Sequence, residues 1–133
     1  MSGSFAGDSM SEPRLEKLVK VFLTDFDSYL IHCDFVHILS SLTMIFDIAV
    51  SCVLEKGYDC DSASDWAHMM YSHVMEKCSN ISPRLKELVL RFYTYISLMR
   101  LEVLGGNLDS ATTYLAAAYR VLKDIVKEFA GGF

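Results

Sequence analysis

The stretch LGGNLDSATTYLAAAYRVL, residues 104–122, decides the fold of this chain. Gly105 and Gly106 interrupt an apolar helical pattern and predict the end of one helix, because glycine is favoured at helix C-termini. Asn107 or Asp109 then predicts the start of a second helix, since both side chains can cap free amides. The alanines that follow carry little bulk, so a neighbouring helix can approach closely. The stretch therefore predicts a tight pair of antiparallel helices.

Three more segments, upstream of this pair, show apolar residues at helical spacing. No segment alternates apolar and polar residues between turn signals, as a half-buried strand does. Predicted N-caps are Asp34 for the second helix, Ser62 or Ser64 for the third, and Ser82 with Pro83 for the fourth. We therefore expect an all-α antiparallel bundle or array of about five helices. These helices are predicted at about residues 11–30, 35–56, 63–78, 83–104 and 107–129.

The length of 133 residues predicts a single domain. Residues 1–10 are predicted to form a disordered leader, 11–130 the helical domain and 131–133 a flexible tail. Hydrophobic residues make up 52% of the chain and its mean hydropathy is +0.27. This is high for a small domain, whose surface is large relative to its volume. We therefore expect a second chain to cover apolar surface, in a homodimer or a stable hetero-complex.

The net charge of −5 comes from the middle of the chain, since residues 34–65 contain six acids and one base. The sequence shows no basic stripe, and phosphate contacts supply most nucleic-acid affinity. We therefore predict that the chain binds protein and not nucleic acid. The acidic balance also disfavours adsorption to anionic membranes.

The segment FVHILSSLTMIFDIAVSCVL, residues 35–54, is apolar almost all round and long enough to span a bilayer. Asp47 lies in the middle of this run, and a mid-membrane Asp costs about 2.5–3.5 kcal/mol on insertion scales. The segment is therefore interpreted as the central buried helix of a bundle. A membrane span is kept as the alternative.

The four cysteines, Cys33, Cys52, Cys60 and Cys78, show no CxxC spacing, and no signal peptide opens the sequence. We expect buried free thiols in a reducing compartment, the cytoplasm or the nucleus. A secreted disulfide scaffold is the alternative.

The histidines offer little sign of a metal site. His32 and His37 are five residues apart, as are His68 and His73, whereas ligands on one helical face are three or four apart. A metal-dependent or enzymatic protein that uses His68, His73, Asp65 or Cys78 is kept as an alternative. We predict that no metal is bound.

Catalytic motifs are absent from the sequence. It contains no GxSxG and no glycine-rich phosphate loop, and LGGNL joins two helices where a phosphate cradle needs a strand before its helix. The acidic loop GYDCDSASD lacks the glycine and glutamate of an EF-hand loop. We therefore predict a protein that is not an enzyme and has no cofactor.

Residues 92–122 resemble a degenerate tetratricopeptide repeat. Gly106 and Asn107 match the turn of that family, and Ala111 and Ala118 match the two small positions of its second helix. The large residues of the family pattern are matched by Tyr95, Leu98, Tyr114 and Leu115. The pattern is not followed at Met99, where the family usually has a small residue, or at Glu102, where it prefers an aromatic one. Solenoids of this type need about three units, and no second copy is present at the period of the family.

The resemblance implies a face that binds peptides or partner helices, and this face includes Tyr93, Ile96 and Arg100. Tyr114 and Tyr119 add amphipathic aromatic side chains of the kind enriched at interfaces. We therefore expect a non-catalytic interaction module: an adaptor, a chaperone-like subunit or a dimerisation domain. The alternative is a pathogen-type helical bundle that takes a host amphipathic helix into a hydrophobic groove.

Overall fold

A computed structural model describes residues 30–55 and 59–131, with side chains to Phe129. The chain divides into two units, residues 1–31 and 32–133, and the fold described below is that of the second. The predicted leader and nearly all of the first predicted helix lie outside the described residues. Leu30, the last residue of that predicted helix, and Ile31 are in a turn.

The described part of the chain forms four α-helices and contains no strand, which confirms the all-α prediction. Helix α1 spans Phe35–Leu54 and α2 spans Cys60–Lys77. Helix α3 spans Pro83–Leu104, and α4 spans Leu108–Gly131, slightly beyond its predicted end near residue 129.

Two of the predicted N-caps are present. A carboxylate oxygen of Asp34 accepts a hydrogen bond from the His37 amide at 3.3 Å, and Ser82 Oγ accepts one from the Leu85 amide at 3.1 Å. Pro83 is the first residue of α3, where the missing amide hydrogen costs nothing. Local side-chain chemistry therefore sets where α1 and α3 begin.

The predicted start of α2 is wrong. The helix begins at Cys60, and neither Ser62 nor Ser64 caps it. The residue before it is Asp59, which has left-handed backbone angles (φ 57°) and makes no side-chain capping bond. Cys60 is bonded to Cys52 at the end of α1, and this pairing of the first residue of α2 is not visible in the local sequence.

The turn between α3 and α4 has the geometry that its glycines predict. Gly106 has a φ of +81°, a conformation that strains any residue with a Cβ atom. The Asn107 amide donates to the Glu102 carbonyl oxygen at 2.8 Å, and the Ala111 amide donates to the Asn107 carbonyl at 3.0 Å. The first bond closes α3, and the second, accepted by the backbone carbonyl of Asn107, opens α4 at Leu108.

The four helices form a bundle in which α1 and α3 each pack against both α2 and α4. The prediction of a central helix buried all round is wrong for α1, because one side of it enters the core while Val36 and Leu54 are 61% and 74% exposed and Asp47 also reaches solvent. By length and composition α1 is also able to span a membrane, although 39% of its most apolar window is buried within the structure. The largest fully buried side chains are Phe92, Ile38, Leu42, Ile45, Met70, Leu88, Ile96, Met99 and Ile125.

The expectation of four free thiols is wrong, because the structure pairs Cys33 with Cys78 and Cys52 with Cys60. Helices α1 and α2 have similar lengths, 20 and 18 residues, and run antiparallel. The cysteines at the two ends of one helix, Cys33 and Cys52, therefore meet those at the two ends of the other, Cys78 and Cys60. The result is a helical hairpin with one disulfide at each end.

Candidate functional site

An apolar groove runs between α1 and α4, with a volume of about 580 Å³. Its apolar wall is formed by Leu39 and Phe46 of α1 and by Tyr119, Leu122 and Val126 of α4. Tyr119 and Val126 are 52% and 47% exposed, so this surface faces solvent in the part of the chain that the structure describes. Exposed apolar side chains on two adjacent helices make a surface of the kind that docks a third helix.

The packing of one aromatic pair shapes this groove. The ring centroids of Phe46 and Tyr119 are 5.9 Å apart, with the planes tilted by 39°. The Lys123 ammonium lies 5.8 Å from the centroid of the Tyr119 ring, within the range of a cation–π contact. These contacts hold Tyr119 across the gap between α1 and α4.

Charged side chains border the apolar groove. Lys123 and Lys127 of α4 line it, and Asp47 of α1 lies among the same residues. Although Asp47 reaches solvent, partial desolvation beside the apolar wall raises the pKa of its carboxyl above the usual value of 3.8. The rim of the groove thus has two lysines and one acid.

A second depression, between α3 and α4, is rich in basic residues and has a volume of about 310 Å³. Arg91 of α3 lies opposite Arg120, Lys123 and Lys127 of α4, and Asp124 is the acid among them. Arg91 is already paired, since its guanidinium donates to a Glu87 carboxylate oxygen at 2.7 Å. Lys123 and Lys127 line both the depression and the apolar groove.

The five residues predicted to bind a partner do not form one surface. Ile96 is fully buried and belongs to the core. Tyr93 lies towards α2, with ring centroids 5.3 Å from His68 and 5.5 Å from Tyr71. Of the five, Tyr119 is the one that lines the apolar groove.

Arg100 and Tyr114 make contacts between neighbouring helices. The Arg100 Nε atom donates to an Asp61 carboxylate oxygen at 2.5 Å, which connects α3 to the start of α2. The rings of Tyr114 and Tyr95 stack with centroids 6.4 Å apart, across α3 and α4. Both residues are partly exposed.

A sulfur–histidine cluster, Cys33, His73 and Cys78, lies where α1 begins and α2 ends. The His73 Nε2 atom is 3.5 Å from Cys78 Sγ and 3.9 Å from Cys33 Sγ. The same nitrogen is 2.7 Å from the His32 carbonyl oxygen, to which it donates. His73 is only 6% exposed, and its Nδ1 atom is buried without a hydrogen-bond partner among the described residues.

Spacing alone does not reveal this cluster. His73 and Cys78 are five residues apart, which places two residues of one helix on different faces. Cys78, however, follows the last residue of α2 and has extended backbone angles (φ −104°, ψ 95°). The chain therefore turns the cysteine back towards the histidine, while His68, the other histidine of the helix, remains exposed.

A second group of possible metal ligands, His32, Asp34 and His37, lies beside the cluster. The His37 Nδ1 atom is 2.6 Å from an Asp34 carboxylate oxygen, and the His32 and His37 rings stack with centroids 4.0 Å apart. The hydrogen bond from the His37 side chain lowers the pKa of Asp34, and the bond from the His37 amide adds to this effect. Three of the four histidines of the chain thus lie at this end of the α1–α2 hairpin.

No family model matches the chain, and no curated protein or solved structure shows detectable similarity to it.

Proposed function

We propose that this chain is a non-catalytic protein–protein interaction module that takes an amphipathic helix into the apolar groove between α1 and α4. The observation that supports this function is the groove itself. Phe46, Tyr119 and Val126 present apolar surface on two adjacent helices, and such surfaces dock the i, i+3 and i+7 anchors of a third helix. An adaptor, a chaperone-like subunit or a dimerisation domain acts through a surface of this kind.

The charges around the groove favour an acidic partner. Lys123 and Lys127 lie on one rim, and Arg120 extends the positive surface into the adjacent basic depression. Opposite charges across an interface increase the association rate and exclude partners of the wrong sign. We therefore propose a partner helix whose apolar stripe is flanked by Asp or Glu on the side that faces α4.

The second helical hairpin, α3 and α4, supports a tetratricopeptide-like interpretation as a proposal. Ala111 and Ala118, which match the small positions of that family, are both fully buried. Gly106 has the positive φ that its turn requires. In this interpretation the hairpin is a single unit that presents α4 to a partner.

The test is a titration of the full chain with a pair of fluorescent helical peptides. Both peptides have the same stripe of leucines at i, i+3, i+4 and i+7. In the acidic peptide this stripe is flanked by glutamates, and in the basic peptide it is flanked by lysines. Anisotropy is expected to show saturable binding of the acidic peptide and much weaker binding of the basic one. Equal binding of both peptides, or binding of neither, contradicts the proposal.

Variants locate the binding site. Tyr119→Glu and Val126→Glu each place a charge in the groove and are expected to weaken binding at least tenfold, since the bound peptide would remove that carboxylate from water and bring its own glutamates close to it. Leu101→Glu is the matched control, because Leu101 is 55% exposed on α3 and does not line the groove. If Leu101→Glu weakens binding as much as Tyr119→Glu does, the groove is not the site.

Self-association is measured in the same preparation. If the groove is filled by a second copy, light scattering shows a dimer that Tyr119→Glu converts to a monomer. A dimer that survives both groove variants shows that the copies meet elsewhere.

A further inference from the structure

The two disulfides of the α1–α2 hairpin have different surroundings. His73 contacts both sulfurs of the Cys33–Cys78 pair, whereas among the described residues no histidine accompanies the Cys52–Cys60 pair. The Cys33, His73 and Cys78 donor atoms all lie within 4.8 Å of one another. We infer that reduction of the Cys33–Cys78 bond turns this cluster into a binding site for a divalent cation of the zinc class.

The distances in the cluster fit such a site. Tetrahedral zinc, with Zn–S bonds of about 2.3 Å and Zn–N bonds of about 2.0–2.1 Å, places a sulfur and a nitrogen ligand about 3.6 Å apart. The His73 Nε2 atom is already 3.5 Å from Cys78 Sγ and 3.9 Å from Cys33 Sγ. The two sulfurs must separate to about 3.8 Å, which follows from the same bond lengths. Rotation of the two cysteine side chains supplies this movement once the S–S bond is broken.

The chemical step is a two-electron reduction followed by metal binding. A dithiol reductant becomes a disulfide and gives two electrons and two protons to Cys33 and Cys78, which become thiols. The cation then displaces both thiol protons and binds the two thiolates, so metal binding releases two protons and strengthens as pH rises. Thiolate and imidazole ligands together suit zinc better than calcium or magnesium.

His73 changes its hydrogen bonding when it becomes a ligand. In the disulfide form Nε2 donates to the His32 carbonyl oxygen, and the buried Nδ1 atom has no partner among the described residues. To bind a cation, Nε2 must present its lone pair, so the ring hydrogen moves to Nδ1. Cys33 is partly exposed, which leaves water access to the fourth coordination position.

Cobalt is the spectroscopic probe for this site. The full chain is reduced with a phosphine under anaerobic conditions and titrated with Co²⁺. We expect one equivalent to produce a sulfur-to-cobalt charge-transfer band together with the visible bands of tetrahedral cobalt, and Zn²⁺ to displace it. The oxidised chain is expected to show neither band. Absence of saturable Co²⁺ binding to the reduced chain overturns the inference.

Three variants assign the ligands. Cys33→Ser with Cys78→Ser is expected to abolish the charge-transfer band, and His73→Gln to weaken binding at least tenfold and alter the visible bands. Cys52→Ser with Cys60→Ser is the matched control, because it removes the disulfide that has no histidine and is expected to leave the spectrum unchanged. Cobalt binding that follows Cys52 and Cys60 instead overturns the assignment.

A measurement on the unaltered chain covers the case in which a variant does not fold. Zn²⁺ is expected to slow alkylation of Cys33 and Cys78 in the reduced chain, and to leave Cys52 and Cys60 as reactive as they are without metal. Mass spectrometry of the digested protein measures the extent of alkylation at all four cysteines in one experiment. Equal protection of both pairs, or of neither, contradicts the inference.

Discussion

Cys33, just before α1, is bonded to Cys78, just after α2, at the end of the hairpin remote from the loop between the two helices. The bond between Cys52 and Cys60 closes the same hairpin beside that loop. The two bonds differ greatly in the length of chain they enclose, with sequence separations of 45 and 8 residues.

Removal of the long-range disulfide is expected to destabilise the protein more than removal of the short-range one. Loop-closure entropy predicts a loss of about 4 kcal/mol in the free energy of unfolding for Cys33→Ser with Cys78→Ser, and about 2.6 kcal/mol for Cys52→Ser with Cys60→Ser. Urea unfolding of the oxidised proteins measures both values. Equal losses indicate that the entropy of the unfolded chain does not account for the effect of these bonds.

The buried alanines of α4 are expected to reject larger side chains. Ala111→Leu and Ala118→Leu add bulk at fully buried positions and should each cost about 1–3 kcal/mol in the free energy of unfolding. Ala116→Leu is the matched control, because Ala116 lies on the same helix and is exposed. If all three variants have the same free energy of unfolding, the small size of Ala111 and Ala118 is not required for α4 to pack closely against its neighbours.

The two glycines of the α3–α4 turn are expected to differ in their tolerance of alanine. Gly106→Ala forces a Cβ atom into a backbone conformation with φ +81°, which costs about 1–2 kcal/mol, although no atom lies within 4 Å of the added carbon. Gly105→Ala is the control, since Gly105 has helical angles (φ −83°) and its added Cβ meets only ordinary contacts. Thermal unfolding compares the two variants, and an equal decrease in Tm contradicts this explanation.

Asp47→Asn is expected to stabilise the folded chain at neutral pH. Desolvation raises the folded-state pKa of Asp47 above its usual value of 3.8, so ionisation costs more in the folded than in the unfolded chain. Stability is therefore lost as pH rises from 3.8 through the folded pKa, and the loss is constant above that interval. Chemical unfolding should show an advantage of the variant at neutral pH that disappears in acid, where Asp47 is protonated in both states. An advantage that persists in acid has another cause.

Much of the fold follows from short-range sequence patterns. Asp34 and Ser82 mark helix starts because each side chain caps a backbone amide three residues further on, and Gly106 marks a turn because of its own φ. The predicted start of α2 is wrong because Asp59, the residue before the helix, makes no side-chain capping bond. The tetratricopeptide resemblance and the partner residues stay predictions.

The features that sequence reasoning missed depend on contacts between distant segments. Cys33 meets Cys78 only because α1 and α2 have matching lengths and lie antiparallel. Arg91 joins the bases of α4 in one depression because α3 and α4 place those particular faces together. Ile96 is buried for the same reason, since its side of α3 faces the core. The prediction that the sequence has no basic stripe is wrong for α4, where Arg120, Lys123 and Lys127 recur at helical spacing.

The disulfide at the end of the α1–α2 hairpin also determines how the oxidised chain carries mechanical force. Tension applied to the two chain termini passes from Cys33 to Cys78 directly through the sulfur bridge, so the chain between these two residues, whose sequence separation is 45, bears no load. Helices α3 and α4 lie outside this closed ring and can be pulled apart. Reduction of the disulfides frees the chain between Cys33 and Cys78 to extend under tension. The protein can then lengthen by at most about 160 Å, at about 3.6 Å per residue.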